Sequence, residues 1–227
     1  MKQNFLTRAD QVTQSTTLIF LDFEASYCDQ TENWDIIPET LLISEIGAVK
    51  MQNFQIVGQF HSLIDQNQKV LQQVQRQADC RQRFNETKNL TGIPAITDIE
   101  YKNLSVRPAL EVLNDFKTFC GSGDIAVIAK GISMEQTVMN IFNMGITVLE
   151  LMDMKRPLGF SFINAKAEFI HGARKQHFCY CDFHKQFPKQ LKLMYNGNQQ
   201  YLHCALDDSF VMAKQVIHAR QQKQRVE

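Results

Sequence analysis

The chain has 227 residues, with 24 lysines and arginines against 24 aspartates and glutamates, and 44% of it is hydrophobic. That length and balance suit one domain with a sizeable core and exclude a disordered tail, a fibrous repeat and the strongly basic coat of a protein that holds nucleic acid by charge alone. Its apolar runs, such as 125–129, fall far short of the roughly 20 residues of a membrane helix. The first residues also lack a secretory leader's apolar stretch, so a cytoplasmic protein is expected.

The six cysteines, at 28, 80, 120, 179, 181 and 204, are scattered through the chain, which predicts reduced thiols. Charge is unevenly spread. Residues 1–60 hold eight acids and three bases, whereas 151–195 hold eight bases and three acids. Such polarity suits a carboxylate site beside a phosphate track, although solvated faces explain most charge bias.

In chain order, Thr16–Glu24 (TTLIFLDFE) is a β-branched, apolar run that ends in acids, as a buried strand does when its tip reaches a site. Strands follow at Leu42–Met51 and Gln55–Leu63 with a turn at Gln52-Asn53, which predicts a three-stranded antiparallel meander. Residues 66–89 read as polar helix. Leu104–Cys120 predicts an amphipathic helix with Val106, Leu110, Leu113, Phe116 and Phe119 on one stripe, Ser105 as cap and Pro108 in the first turn. Asp124–Lys130 is a short buried strand, Ser133–Asn143 a helix and Ile146–Met152 another strand. That order implies a parallel crossover, and so a mixed sheet with helices packed on it. His203 to about Gln222 closes the chain as a long helix. With no linker or repeat, the chain reads as one domain over 1–227, its core at about 16–218, with 173–198 a possible insertion.

Asp22-Phe23-Glu24 places two carboxylates at i and i+2 on a strand, on one face, while Phe23 packs on the other. Side by side, two like charges need a cation, and hard divalent ions with oxygen ligands answer that need. Acids at a strand end in solvent are the plainer reading of any isolated D-x-E. His203-Cys204-Ala205-Leu206-Asp207-Asp208 opens the last helix, where an aspartate can approach the D-x-E pair and a histidine can take a proton from water near neutral pH. Acids at a helix N-terminus are also favoured by the helix dipole.

Together these segments resemble the DnaQ-like exonucleases of the DEDDh type, with the Eri-type 3′→5′ RNA exonucleases closest in look. LIFLDFEAS at 18–26 is similar to the first family motif, SEIGAVK at 44–50 to the second strand, NLTGI at 89–93 to the LTGI turn and HCALDDSFVMA at 203–213 to the third motif. The resemblance implies a ribonuclease H-like α/β fold, a mixed five-stranded sheet with helices on both faces. It further implies two magnesium or manganese ions held by Asp22, Glu24, Asp208 and Glu135, with His203 as base. One motif departs: IAVIAKGISMEQTV at 125–138 offers Glu135 where the family has an aspartate, and Asp124 is a poorer substitute because it precedes the strand.

The activity implied is removal of 5′-nucleoside monophosphates from the 3′ end of single-stranded nucleic acid, RNA favoured over DNA. Phe23, Ala25, Ser26, Leu90 and Thr91 would contact the terminal nucleotide, and Phe160 and Phe162 are stacking candidates beside the more ordinary reading of buried core. The rival readings are a DNA proofreading-type exonuclease working with a polymerase and a catalytically weak module that binds nucleic acid or protein, prompted by Glu135. The chain would act as a monomer or homodimer. A separate set, Cys179, Cys181, His184 and Cys204, offers ligands for a structural zinc, but C-x-C-x2-H is not a standard finger spacing, and packed thiols in a loop are the alternative.

Overall fold

The structure is a computed structural model that describes residues 2–26, 41–65, 106–159, 192–195, 198–201 and 204–225. Its centre is a mixed sheet whose long strands are β2 (Thr17–Ser26), β3 (Leu42–Gln52) and β4 (Gln55–Asp65), joined as an antiparallel meander. The β3–β4 hairpin turns at Asn53 and Phe54, whose φ angles of 49° and 62° are those of the tight primed turn that matches strand twist. On the other side of β2, β6 (Gly123–Ala129) pairs in parallel over Thr17–Phe20.

Two short strands share the far edge of β6. β1 (Gln3–Phe5) pairs with its start and β7 (Val148–Glu150) with its end, both parallel. β5 (Val106–Pro108) closes the opposite edge against β4. The sheet therefore contains the five expected strands, β2, β3, β4, β6 and β7, and gains β1 and β5, which three-residue runs do not announce. A small hairpin, β8 (Lys192–Tyr195) and β9 (Asn198–Tyr201), forms a separate two-stranded sheet.

Helices cover both faces. α1 (Ala109–Cys120) and α2 (Ser133–Ile141) share a core with Ile19, Leu21, Phe23, Ile46, Ala48, Val127 and Val148. α4 (Ala205–Gln224) packs on the other face against Leu18, Phe20, Val49, Met51 and Ile128, beside the short α3 (Lys155–Leu158). The alternation of β2 thus serves two cores at once, and each fully buried apolar side chain contributes roughly 2 kcal/mol.

Several boundaries differ from expectation for identifiable reasons. The helix expected from Leu104 begins at Ala109, because Arg107 precedes a proline and is driven extended, and Pro108 sits at the N-cap with ψ 135°. Its buried stripe is Val112, Leu113, Phe116 and Cys120, whereas Leu110 is 53% exposed and Val106 lies in β5. The strand expected over Ile146–Met152 is only Val148–Glu150 and is followed by a 3-10 turn at Leu151–Met154. α2 stops at Ile141, and α4 starts at Ala205 with Cys204 as its N-cap.

Candidate functional site

β2 outruns its parallel neighbour: Phe20 is its last residue paired with β6, and Leu21–Ser26 continue past Ile128. The crevice beyond the carboxyl ends of adjacent parallel strands is where α/β sheets bind ligands. Asp22 and Glu24 stand on this overhang on the α4 side, while Phe23 is 1% exposed and packs into the opposite core.

The third acid arrives from the other end of the chain. α4 crosses β3 at Gly47, where any Cβ would collide with the backbone of Ala205 and Leu206, so only glycine admits this approach. The Ser209 hydroxyl then donates to the Gly47 carbonyl at 2.9 Å. Asp208, in the first turn of α4, bonds through its amide to the Cys204 carbonyl at 3.0 Å. As a result, carboxylate oxygens of Asp22, Glu24 and Asp208 all lie within 4.8 Å of one another.

Glu135, in the first turn of α2, is 2% exposed. Burial pushes its carboxyl up to about 7, against hydrogen bonds from its own amide and that of Phe23 that pull it down, while Glu150 adds repulsion. Phe23 therefore serves the site through its backbone. Asp22 is held well above the carboxylate range by burial first, then by the charges of Glu24, Asp208, Glu135 and Glu45. Oε2 of Glu135 is buried with no hydrogen-bond partner among the described residues. Clustered carboxylates of this kind, with the Glu135 oxygen unpartnered and Asp22 forced toward its protonated form by burial and then by its neighbours, fit hard divalent cations with oxygen ligands.

Sequence reasoning missed Glu45. It lies directly across from Glu24 in the β2–β3 pairing, beside a bulge at Ser44 whose hydroxyl donates to the Glu24 carbonyl at 2.8 Å. Glu45 is fully buried and pairs with His61 Nε2 at 2.7 Å. The available signal was an acid inside the apolar run LLISEIGAV, since a charge buried there requires a partner.

Ala25 is partly buried against the α1 and α2 core, and Ser26 pairs with Leu42. Asp124 is exposed at the start of β6, where it accepts the Asn4 amide at 2.6 Å. Cys204 is buried, and its thiol donates to Glu45 Oε1 at 3.4 Å. His203, Leu90, Thr91, Cys179, Cys181, His184, Phe160 and Phe162 lie outside the described residues, as does most of 173–198.

The architecture, a mixed sheet with helices on both faces, is a ribonuclease H-like fold. Among solved structures, it is similar to exonuclease I from Methylocaldum szegediense, with a TM-score of 0.52 and 12% identity, over 92% of this chain and 41% of that one. A product-bound exonuclease I matches at a TM-score of 0.50 and 13% identity, over 92% and 45% of the two chains. The chain thus spans less than half the length of these relatives. The nuclease domain of 3′hExo, a DEDDh family member bound to rAMP, is 17% identical over 92% of this chain and 93% of that one, at a TM-score of 0.45 too loose to bear on the fold. No protein-family model and no curated protein matches the sequence. Among the described residues no helix is long and apolar enough to cross a membrane.

Proposed function

We propose that the chain is a single metal-dependent 3′→5′ exonuclease domain acting on single-stranded nucleic acid ends, RNA favoured. The observation that carries this reading is the convergence of Asp22, Glu24 and Asp208 to within 4.8 Å, with the buried Glu135 beside them. Its support is threefold: the D-x-E on an overhanging strand, the third acid at the start of the last helix, and the exonuclease fold.

In this reading Asp22, Glu24 and Asp208 would hold one magnesium or manganese ion, and Glu135 would support a second. The ions supply neutralisation of the phosphodiester and stabilise charge on the attacking and leaving oxygens. Glu135, fixed by the Phe23 amide, keeps its orphaned oxygen directed by the backbone and not by a mobile side chain. His203 takes the proton of the attacking water on its imidazole. The water oxygen bonds to phosphorus, the P–O3′ bond breaks, the shortened strand keeps a 3′-hydroxyl, and a 5′-nucleoside monophosphate is released. The preference for RNA rests on the Eri-like look of DFEAS and HCALDDS, and the basic stretch 151–195 is the proposed phosphate track.

The test is digestion of 5′-labelled RNA and DNA strands with magnesium or manganese, by wild type and Asp22→Ala. A ladder shortening from the 3′ end and faster on RNA, lost in the variant and without ions, is expected. Identical behaviour of the two proteins would end the enzyme reading, and faster digestion of DNA would replace its substrate.

A further inference from the structure

Glu45 is an anomaly in a layer that is otherwise built to gather ligands. It is 0% exposed, stands among like charges and raises the proton affinity of Asp22, yet it lies outside the three acids that meet. A buried carboxylate is costly unless paired, and an apolar residue of similar volume would serve packing better. Its own bonds indicate what it does instead. Oε1 receives the His61 ring at 2.7 Å and the Cys204 thiol at 3.4 Å, while Oε2 has no partner among the described residues.

These two bonds join parts of the chain far apart in sequence. Across the sheet, Glu45 sits opposite Glu24 and His61 sits opposite Gly47, so all four lie on the face that meets α4. Cys204 is the N-cap residue of α4, and its carbonyl accepts the Asp208 amide at 3.0 Å. Glu45 therefore reaches Asp208 through one intervening residue and Glu24 through one strand pairing. Cys204 Sγ offers only a weak bond by itself, but burial in a low-dielectric layer strengthens it.

We propose that Glu45, braced by His61, is a positioning residue that clamps Cys204 and so sets where the first turn of α4 presents Asp208 to Asp22 and Glu24. The clamp would set the spacing of the proposed ion site, and in that respect it rests on the proposed function. The clamp itself is a property of the metal-free protein and is measured without ions.

The experiment compares wild type, Glu45→Ala, Glu45→Gln, Cys204→Ala and Cys204→Ser in the full chain. Amide hydrogen exchange over 204–209 is followed without metal, and Mn2+ affinity is followed by calorimetry. Glu45→Ala and Cys204→Ala are expected to speed exchange in that first turn by about tenfold and to weaken Mn2+ binding by about tenfold, the range of effects when an outer partner of a metal ligand is removed. Exchange over the β3–β4 hairpin should not change. Glu45→Gln keeps an oxygen acceptor and Cys204→Ser keeps a donor, so both should recover most of each loss. If Glu45→Ala does not fold, the Cys204 pair gives the same readout. Unchanged exchange at 204–209 in Cys204→Ala overturns the clamp even where wild type binds Mn2+. A wild type that binds no Mn2+ instead overturns the proposed function and leaves the exchange data to decide the clamp.

Discussion

Ser209 donates its hydroxyl to the carbonyl of Gly47 at 2.9 Å, across a contact that leaves no space for a Cβ on the glycine. This approach is what lets an aspartate on the last helix stand beside acids on the second strand. Gly47→Ala would push α4 outward against backbone atoms, which have no rotamer by which to escape. Overpacking of this kind costs about 3 kcal/mol, or a melting temperature lower by roughly 6–12 °C in a chain of this size. Calorimetry of the variant checks it, and an unchanged melt would mean that the helix does not sit so close.

Asp22→Asn separates stability from activity. Removing a carboxylate whose protonation is favoured by burial and by Glu24, Asp208, Glu135 and Glu45 relieves repulsion, so the metal-free variant should be more stable by about 1 kcal/mol. Exonuclease activity should fall to assay background. Denaturant unfolding without ions, run beside the digestion assay, gives both readings.

Glu135 predicts a pH dependence of definite sign. Its folded-state pKa of about 7 lies above the ordinary 4.5, so between these values the folded chain binds more protons than the unfolded one, and stability falls as pH rises. Full ionisation above pH 7 costs about 3 kcal/mol relative to pH below 4.5. Thermal melts of the metal-free protein should therefore drop between pH 5 and pH 8. Glu135→Gln should lessen the slope, leaving a remainder from Asp22, whose pKa is raised too.

Divalent ions should reverse that loss. Magnesium or manganese at a hundred times its dissociation constant adds roughly 2.7 kcal/mol to the folded state, and more of it should be visible at pH 8 than at pH 5, where protons compete for the same oxygens. A melt unmoved by magnesium, manganese and calcium alike would count against the site. Elemental analysis of chelator-washed protein tests the separate question of zinc at Cys179, Cys181, His184 and Cys204, and the absence of tightly held zinc would end that idea.

Much of this arrangement was legible before any coordinates. Asp22 and Glu24 stood out because a period-two strand puts alternate residues on one face, and α1 showed through the apolar stripe that includes Leu113 and Phe116. The proline at 108 was read as part of a helix because its neighbours kept the helical stripe, although the extended preference of Arg107 decided the outcome. Short edge strands such as β1 and β5 carry too few residues for a period to show. Glu45 and His61 escaped notice because each looks ordinary alone, and only the register of β3 on β4 makes them partners.

Because Asp208 rides on α4 while Asp22 and Glu24 ride on β2, the acids cannot gather until both of these distant segments have been made and have packed together. A nascent chain halted anywhere before that helix would hold two of the three carboxylates and no working cluster.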